Sequence, residues 1–450
     1  MYLQQRPDPA DAPGGLAIAV VGSGISGLSA AWLLAQRHHV TLFEADDRIG
    51  GHSHTVEVAG TAVDTGFIVF NDCTYPNLAA LFRHLGVATT TTEMTFAVSL
   101  DGGRLEYSGT DLGGLFAQKR NLLRPRFWSM MRDLLRFYRE ACRDLPHLGD
   151  QSLHEYLDSR GYGMAFREDH LYPMAAAIWS TPSAEIRDYP AAAFIRFCEN
   201  HTLLEAGDRP PWHTVRGGSR EYVARMTEAF APGIRRGTPV REIRRRAGGV
   251  DILAGGEVSR FDQIVIAAHA DQALAMLGDA DAQERRLLGA FRYCRNQAVL
   301  HSDSNLMPQR RRVWSAWNYA AYGAAGDMLS CTYWMNELQD LPGQPLFVTL
   351  NPIREPAPDK VHWRGEYSHP VFDVAAMKAQ RELWSLQGRG GVWFAGAYFG
   401  AGFHEDGLQA GLAVAEQLGG VQRPWTVSEP SGRIYCRTPH AAISPVLVPG

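Results

Sequence analysis

Blocks of apolar residues alternate with short polar or glycine-rich turns at the start of the chain. Ala17–Val21 is an uninterrupted apolar run with the length and composition of a buried parallel strand. A helical pattern carrying Leu28, Trp32 and Leu33 follows, and a second apolar run spans Val40–Phe43. The pattern predicts a strand, a helix and a second strand, with the two strands parallel because the helix crosses over between them.

Three glycines occupy the turn between the first predicted strand and the helix. Gly22, Gly24 and Gly27 have the G-x-G-x-x-G spacing of dinucleotide-binding turns, and Glu44 ends the second strand. Such a turn brings the backbone close to a pyrophosphate, aims a helix N-terminus at it and leaves the acidic side chain for ribose hydroxyls. The stretch predicts a dinucleotide site, but it does not distinguish NAD from FAD because both contain ADP.

The rest of the chain predicts further elements of both kinds. A mostly helical pattern runs from Tyr75 to His201, and short strands with turns follow, among them the buried candidate Ile264–Ala268. Near the end, GVWFAGAYFGAGFHEDGLQAGLAVAEQLGG repeats the order of strand, glycine turn and helix.

Composition excludes several classes of protein. The 450 residues are 45% hydrophobic and 20% charged with a formal net charge of −4, which lacks the basic excess of a general nucleic-acid binder. The 6 cysteines form no C-x-x-C pair, which argues against a zinc site or a disulfide framework. No signal peptide is apparent, and no apolar run approaches the ~20 residues of a membrane span. We expect a cytoplasmic protein with no nucleic-acid partner.

Motifs spread over nearly the whole chain extend this picture. They are VVGSGISGLSAAWLL, FEADDRIGGHSHTV, VDTGF, VRGGSREYV, GTPVREI, FDQIVIAAHA and WFAGAYFGAGFHEDGLQAGLAVA. Together they resemble the superfamily of FAD-dependent amine oxidases and phytoene desaturases. Within it, GGHSHTV and GFHEDGL are similar to a bacterial group of NAD/FAD-binding flavoproteins linked to fatty-acid modification.

The resemblance implies an α/β fold. A Rossmann-like FAD-binding domain of the glutathione-reductase and amine oxidase type is expected, with an inserted α+β substrate domain. FAD is expected to be non-covalent, since no cysteine lies in the C-terminal flavin motif. The predicted segments are 1–14 as a disordered N-terminus, 15–75, 205–290 and 385–420 as the FAD-binding domain, 76–204 and 291–384 as the substrate domain with its helical insert, and 421–450 as a C-terminal tail.

Matched motif by motif, the resemblance implies cofactor contacts at both ends of the chain. The glycine turn holds the pyrophosphate, the acid after it the ribose, the R-x-G-G segment the phosphates and ribityl chain, and the last turn the flavin pyrimidine edge. The predicted cofactor-binding residues are Gly22, Ser23, Gly24, Ile25, Ser26, Gly27, Glu44, Arg48, Gly50, Gly51, His52, Gly66, Val240, Gly396, Phe403, Glu405, Asp406, Gly407 and Leu408.

Two positions depart from the family pattern. His52 stands where relatives often have arginine, and Ala397 where they commonly have an acid. We expect His52 to contact the cofactor. Either Glu405 or Asp406 replaces the missing carboxylate, or one of the two only caps the helix that follows.

Two side chains near the C-terminal turn are candidates for catalysis. We predict that His404 faces the flavin or the substrate and that Tyr398 forms one aromatic wall of the site. Gly66 is expected to let its strand pass close to the flavin ring, with a plain turn as the alternative. His54 is expected to be structural.

The segment 119–143 is unusually basic, with eight Lys or Arg against two acids. Its apolar residues fall on one predicted helical face, formed by Phe127, Met131, Leu134, Leu135, Tyr138 and Cys142. A basic amphipathic helix can lie on an anionic membrane or collect an acidic lipid substrate. The alternative is a surface helix whose stripe faces the core. Aromatic residues of the insert either line a substrate tunnel or fill the core: Trp179, Trp212, Trp314, Trp317, Tyr319, Tyr333 and Trp334.

These expectations converge on a flavin oxidoreductase. The first hypothesis is removal of hydrogen from an apolar, fatty-acyl or lipid-like substrate, with hydride passing to the flavin. The alternatives are an amine oxidase, a redox-neutral double-bond isomerase, and a membrane-associated flavoprotein that assists a partner enzyme.

Overall fold

The chain forms two compact units. The computed structural model describes residues 15–179, 186–200, 203–204, 210–322 and 328–436. The first unit comprises Met1–Ile49, Met226–Phe291 and Ala375–Gly450, and the second comprises Gly50–Arg225 and Arg292–Val374. The predicted disordered segment 1–14 and the end of the predicted tail, 437–450, lie outside the described residues, as does the side chain of Trp179.

Strands and helices alternate through both units. The strands are β1 (Ala17–Val21), β2 (His39–Phe43), β3 (Thr55–Val58), β4 (Thr61–Asp64), β5 (Val69–Phe70), β6 (Thr89–Thr92), β7 (Phe96–Leu100), β8 (Leu105–Ser108), β9 (Trp212–Val215), β10 (Ile234–Arg235), β11 (Val240–Arg246), β12 (Gly249–Ala254), β13 (Glu257–Phe261), β14 (Gln263–Ile266), β15 (Arg292–His301), β16 (Trp317–Tyr322), β17 (Met328–Trp334), β18 (Phe347–Leu350), β19 (Val361–Val371) and β20 (Val392–Phe394). The described α-helices are α1 (Ile25–Leu34), α2 (Pro76–Leu85), α3 (Leu112–Leu115), α4 (Pro125–Asp144), α5 (Leu153–Ser159), α6 (Met164–Phe166), α7 (Tyr172–Trp179), α8 (Ala191–Asn200), α9 (Arg220–Thr227), α10 (Ala270–Met276), α11 (Ala282–Leu288), α12 (Met335–Gln339), α13 (Val374–Gln380) and α14 (His404–Gly419).

A parallel sheet lies at the centre of the first unit, in the order β10-β2-β1-β14-β20. Ile18 and Val20 of β1 and Ile264 of β14 are fully buried, as expected for parallel strands covered on both faces. The predicted opening of strand, helix and strand is confirmed. The strand predicted to reach Ala268 ends at Ile266, after which Ala267 N donates to Val21 O at 2.8 Å.

Helices α1 and α14 pack side by side through small residues. A Cβ added to Gly407 would lie 2.8 Å from Ser26 Oγ, and one added to Gly411 would overlap the Ser26 carbonyl oxygen. Early residues of α14 thus contact early residues of α1, so the two helices run parallel and begin at the same end. Since α1 begins just after β1, both N-termini lie at the carboxyl edge of the sheet.

The second unit contains a larger sheet, in the order β19-β15-β18-β17-β16-β7-β8. Its pairs are antiparallel except for β16 with β7, which are parallel. The unit also contains two small sheets, β3-β4 and β5-β9-β6, the helices α2 and α12, and a group of helices from α3 to α8. This mixture of helices and sheet agrees with the predicted fold class.

The apolar face predicted for the basic segment 119–143 is partly wrong. The buried face of α4 consists of Phe127, Met130, Phe137 and Ala141, together with Asp133. The Asp133 carboxylate accepts the Gly163 N–H at 2.8 Å, so this polar side chain lies on the inner face of the helix. Because Asp133 is polar, the hydrophobic pattern predicts it on the outer face of the helix. The predicted apolar stripe is therefore rotated around the helix relative to the face that is buried. Of that stripe, Leu135 is exposed, and Met131, Leu134, Tyr138 and Cys142 are half-buried.

The two units depart from the predicted domain boundaries. Residues 50–75 and the described residues 210–225 belong to the second unit, although the motifs predict them in the FAD-binding domain. Residues 375–384 belong to the first unit, although they are predicted in the substrate domain. None of the described helices combines the length and apolar character that crossing a membrane requires.

Candidate functional site

The three glycines of the first turn have three different environments. Gly22 has φ +99°, and a Cβ there would lie 2.6 Å from the Ala267 carbonyl oxygen. A Cβ on Gly27 would overlap the Gly22 carbonyl oxygen, whereas a Cβ on Gly24 would meet nothing within 4 Å. The protein's own packing therefore requires glycine at 22 and 27, but the space beside Gly24 is open.

Gly24 is also the residue before the first turn of α1. Its backbone is extended, with φ −64° and ψ 175°, and no side chain caps the helix there. The first N–H groups of a helix have no partner within the helix, and the dipole adds partial positive charge at that end. The predicted residues Ile25 and Ser26 lie buried in this first turn. The arrangement can accept an anionic group.

Glu44 holds the glycine turn from the neighbouring strand. Its Oε2 accepts hydrogen bonds from Ser23 N at 2.9 Å and Ser23 Oγ at 2.5 Å, and Oε1 accepts from Asp46 N at 2.9 Å. The Glu44 carbonyl accepts from Thr238 N at 2.8 Å, just before β11 begins at Val240. The structure thus brings Glu44, predicted to bind the ribose, next to the segment that leads into Val240, another predicted cofactor-binding residue.

Arg48 presents a buried donor that needs an acceptor. Its Nη1 is buried and has no hydrogen-bond partner among the residues that the structure describes, while Nε lies 3.5 Å from Asp46 Oδ2. Buried guanidinium N–H groups are almost always paired, and phosphate oxygens suit their geometry.

The start of α14 is held by an acidic side chain. Asp406 is fully buried, and its Oδ2 accepts the Phe403 N–H at 2.8 Å. Arg433 of the C-terminal tail donates Nε to Asp406 Oδ1 at 2.6 Å. Glu405 is also fully buried, and its Oε1 accepts from Gln409 Nε2 at 2.9 Å. Of the predicted alternatives for Asp406, this geometry favours the helix cap, with its charge matched by Arg433.

His404 is the first residue of α14. Burial lowers the pKa of its imidazole to about 3. The positive end of the helix dipole disfavours a cation at the same place. His404 is therefore neutral at physiological pH and can orient a group by hydrogen bonding, but it does not deliver a proton from an imidazolium.

The turn between β20 and α14 is tightly packed. Tyr398 is 2% exposed, and its ring lies against Phe291 and Phe399, with centroid separations of 5.3 Å and 5.0 Å. A Cβ on Gly396 would overlap this ring, and Ala397 lies beside Gly407. The position of Tyr398 in the core weakens the prediction that it forms a wall of the catalytic site. Leu408 is fully buried in α14.

Four predicted cofactor residues lie in the second unit. Gly50 and Gly51 both have positive φ, and a Cβ on Gly50 would lie 2.5 Å from the Ser53 carbonyl oxygen. A Cβ on Gly66 would overlap the His52 carbonyl oxygen, to which Phe67 N donates at 2.8 Å. The close pairing of these segments accounts for the glycine at 66. The flavin contacts of these residues stay predictions.

The partners of His52 were missed by the sequence-based prediction. Its ring lies 4.9 Å from that of Tyr367 and 5.4 Å from that of His369, both on β19. The Tyr367 hydroxyl lies 2.8 Å from Thr65 Oγ1, which in turn lies 2.9 Å from His54 Nδ1. We call these five residues the His52 cluster. The segment WRGEYSHP carries a signal for this cluster. Alternate residues of a strand share one face, so Tyr367 and His369 are expected on the same side of it.

The motifs VDTGF and VRGGSREYV meet at Asp64. Its buried carboxylate accepts from Ser219 N at 2.9 Å, from Thr55 Oγ1 at 2.6 Å and from Gln339 Nε2 at 2.9 Å. Burial raises the pKa of Asp64 to about 6, against the lowering effect of the hydrogen bonds from Thr55 and Ser219. Asp64 therefore fastens the start of α9, just after Ser219, to β4.

A family profile described as flavin-containing amine oxidoreductase matches residues 25–297, more than half of the chain. The match runs from the first turn of α1 through Glu44, Asp64 and Ser219. The chain belongs to the flavin-containing amine oxidoreductase family. For a member of this family, the dinucleotide expected at the glycine turn is FAD.

The chain matches its relatives over only part of their length. AofH of Mycobacterium tuberculosis, named as a flavin-containing monoamine oxidase, is 28% identical over 258 residues, 56% of either chain. Protoporphyrinogen oxidase 2 of Arabidopsis thaliana is 40% identical over 78 residues, 17% of this chain and 15% of its own. The chain thus matches about half the length of AofH and less of the plant enzyme.

Solved structures resemble the chain over most of its length. Wild-type putrescine oxidase bound to putrescine has a TM-score of 0.65 at 16% identity, covering 90% of this chain and 99% of its own. The CLA-producing fatty acid isomerase from P. acnes has a TM-score of 0.62 at 14% identity, covering 90% and 98%. At these identities the likeness establishes the fold.

The first unit fits FAD. The space beside Gly24 is open and the first turn of α1 is uncapped, which suits the pyrophosphate. The buried Nη1 of Arg48 is suited to a phosphate oxygen, and Glu44 with the segment before Val240 is suited to the adenosine.

Proposed function

We propose that the protein removes hydrogen from an apolar, fatty-acyl or lipid-like substrate and so acts as a desaturase or oxidase. FAD supplies a hydride acceptor at flavin N5 when it is bound. The observation that carries the proposal is the open, uncapped turn at Gly24 beside the parallel start of α14, which suits a dinucleotide cofactor.

In this proposal the residues of the first unit bind FAD and orient it. The first turn of α1 and Arg48 neutralise the pyrophosphate, and Glu44 receives ribose hydroxyls. The N-terminus of α14 would stabilise negative charge on a bound flavin, because the helix dipole places partial positive charge at that end. His404 contributes hydrogen bonding without adding a charge there. Asp406 keeps this helix start in place through Phe403 N and Arg433.

The substrate class is inferred from the His52 cluster. Three imidazoles, a phenol and a hydroxyl pack together here, and Trp363 lies 4.9 Å from the His54 ring. Imidazole, phenol and hydroxyl groups can each donate a hydrogen bond, so such a cluster can bind a carboxylate. The aromatic surfaces beside it suit a hydrocarbon chain. Both properties support an acyl substrate.

The test is anaerobic mixing of the purified, FAD-loaded protein with a panel of fatty acids, fatty-acyl esters and amines. We expect flavin bleaching with an acyl compound and a product carrying one additional double bond by mass spectrometry. Bleaching by amines alone, with a carbonyl product, would contradict the proposed substrate class. Silence with every compound would contradict the proposed activity and favour a protein that assists a partner enzyme.

Two other activities have specific support. Amine oxidation is favoured by the family itself and by the names of relatives such as AofH. Double-bond isomerisation is favoured by the fold shared with the fatty acid isomerase from P. acnes. The same panel distinguishes them, since an isomerase converts an acyl substrate with neither net bleaching nor oxygen consumption. The cytoplasmic location stays a prediction.

A further inference from the structure

Large apolar side chains are exposed in one short part of the second unit. Among the described residues, half of the exposed large hydrophobic side chains fall between positions 112 and 135: Leu112, Leu122, Leu123, Trp128 and Leu135. Leu123 is 87% exposed, at the end of the 3-10 helix Lys119–Leu123 that leads into α4. Such a concentration marks an interaction surface rather than scattered surface residues.

The outer face of α4 combines apolar and basic side chains. Trp128, Arg132, Leu135 and Arg139 are spaced three or four residues apart, so they lie on one face of the helix, and all four are exposed. The opposite face is buried by Phe127 and its neighbours in the core. The outer stripe is therefore additional to the core stripe, and core packing does not account for it.

Backbone and ring contacts join the 3-10 helix to this face. Trp128 Nε1 donates to the Leu122 carbonyl oxygen at 2.9 Å, and the Trp128 ring lies 5.8 Å from that of Phe116. The indole N–H is thus satisfied while the ring stays 49% exposed. We call this surface the α4 patch. Its members are Leu122, Leu123, Trp128 and Leu135 with Arg120, Arg124, Arg132 and Arg139.

The patch has an excess of positive charge. Arg120 Nη2 donates to the Arg104 carbonyl oxygen at 2.5 Å and Arg124 Nη1 donates to the same oxygen at 2.9 Å, which holds both guanidinium groups together. Within the described residues, no ion pair involves Lys119, Arg120, Arg124, Arg139 or Arg143. The pKa of Arg124 is lowered by burial and by the neighbouring Arg120 and Arg104, which reflects this crowding of cations.

We propose that the α4 patch binds the surface of an anionic lipid bilayer. Leu122, Leu123 and Leu135 enter the headgroup region, Trp128 lies at the polar–apolar boundary, and the arginines bind lipid phosphates. A symmetric dimer through this patch would place arginines against arginines, because both copies present the same surface. A leucine that protrudes as far as Leu123 suits a fluid headgroup layer. This proposal does not depend on the substrate class proposed above.

The test is co-sedimentation of the full, FAD-loaded chain with phosphatidylcholine vesicles, with and without phosphatidylglycerol. We expect binding only to the anionic vesicles, weakening as salt is added. Leu123→Ser and Arg139→Glu should each weaken binding at least about fivefold, from the lost insertion of one leucine or the lost attraction of one arginine. Matched controls are Val258→Ser, which removes a side chain that is 69% exposed, and Arg354→Glu, which reverses an exposed arginine outside the patch.

Flavin content and thermal unfolding of each variant show that the fold is intact. Wild-type protein that stays in the supernatant with anionic vesicles would overturn the proposal. So would equal losses in the patch variants and their controls. Sedimentation velocity supplies a further check, since a wild-type dimer that Leu123→Ser converts to monomer would assign the patch to self-association instead. Retention by an acidic protein without binding to vesicles would also count against the bilayer.

Discussion

Replacing Gly24 by valine separates the cofactor's requirement for glycine from that of the fold. A Cβ at position 24 meets no protein atom within 4 Å, and φ −64° with ψ 175° is a conformation that valine adopts readily. The fold should lose only the preference for glycine over valine at a helix N-cap, about 1 kcal/mol or less. The isopropyl group, however, fills the space that we assign to the pyrophosphate.

The expected loss of FAD affinity is large. Displacing a phosphate from two helix N–H groups removes charge-assisted hydrogen bonds of roughly 1.5–3 kcal/mol each. A loss of about 3 kcal/mol in total corresponds to at least about a hundredfold weaker binding. The assay is FAD titration of the apo-protein by flavin fluorescence, together with thermal unfolding of the same apo samples.

Gly27→Val is the matched control. Its Cβ would overlap the Gly22 carbonyl oxygen, so this substitution should destabilise the apo-protein by about 3 kcal/mol through overpacking in the turn. Gly24→Val should unfold within a few degrees of the wild type. Wild-type FAD affinity in Gly24→Val, or equal unfolding temperatures of the two apo-variants, would contradict the assignment of this space to the pyrophosphate.

Three further predictions concern charged and titratable groups. His404→Ala should keep its FAD but slow flavin reduction. Because burial lowers the pKa of His404 to about 3, the pH profile of the wild-type rate should show no inflection near pH ~6.5 that the variant lacks. Stopped-flow measurement of flavin reduction across the pH range checks both expectations. The pKa of Asp64 is raised from 3.8 to about 6, so its contribution to stability is fully present below pH 3.8 and is lost, by about 3 kcal/mol, as the pH rises through 6. Asp64→Asn should remove this decline in the unfolding free energy measured with urea. An unchanged dependence of that free energy on pH would refute the assignment. Arg433→Ala leaves the buried Asp406 charge uncompensated and should cost about 3 kcal/mol in unfolding free energy. Arg286→Ala, which breaks an exposed pair with Glu382, should cost much less, and equal costs would contradict the role of the tail.

The first strand, the glycine turn and α1 could be predicted because local pattern and tertiary requirement coincide there. Ile18 and Val20 are buried by both neighbouring strands, so their apolar run needs no distant information. The roles of Gly22 and Gly27 follow from the same spacing, since a turn this tight forces close backbone contacts. The second glycine-rich turn was found for the same reason.

Long-range pairings could not be predicted. Asp133 is polar yet lies on the inner face of α4, because its acceptor role depends on Gly163, thirty residues away. The His52 cluster joins β19 to residues more than three hundred positions earlier, and only the register of the sheet brings them together. The tail contributes Arg433 to the start of α14 and Trp425 to a stack with Trp32, and neither residue belongs to a recognisable motif.

The central claim is that the first unit binds FAD through the open turn at Gly24 and Arg48. The most direct test is the flavin released when the purified protein is denatured with acid, followed by equilibrium binding of FAD to the native apo-protein. The account predicts one FAD per chain, released on denaturation and taken up again on refolding or addition to apo-protein. A natively folded chain that carries no flavin and takes up none when FAD is added would contradict it.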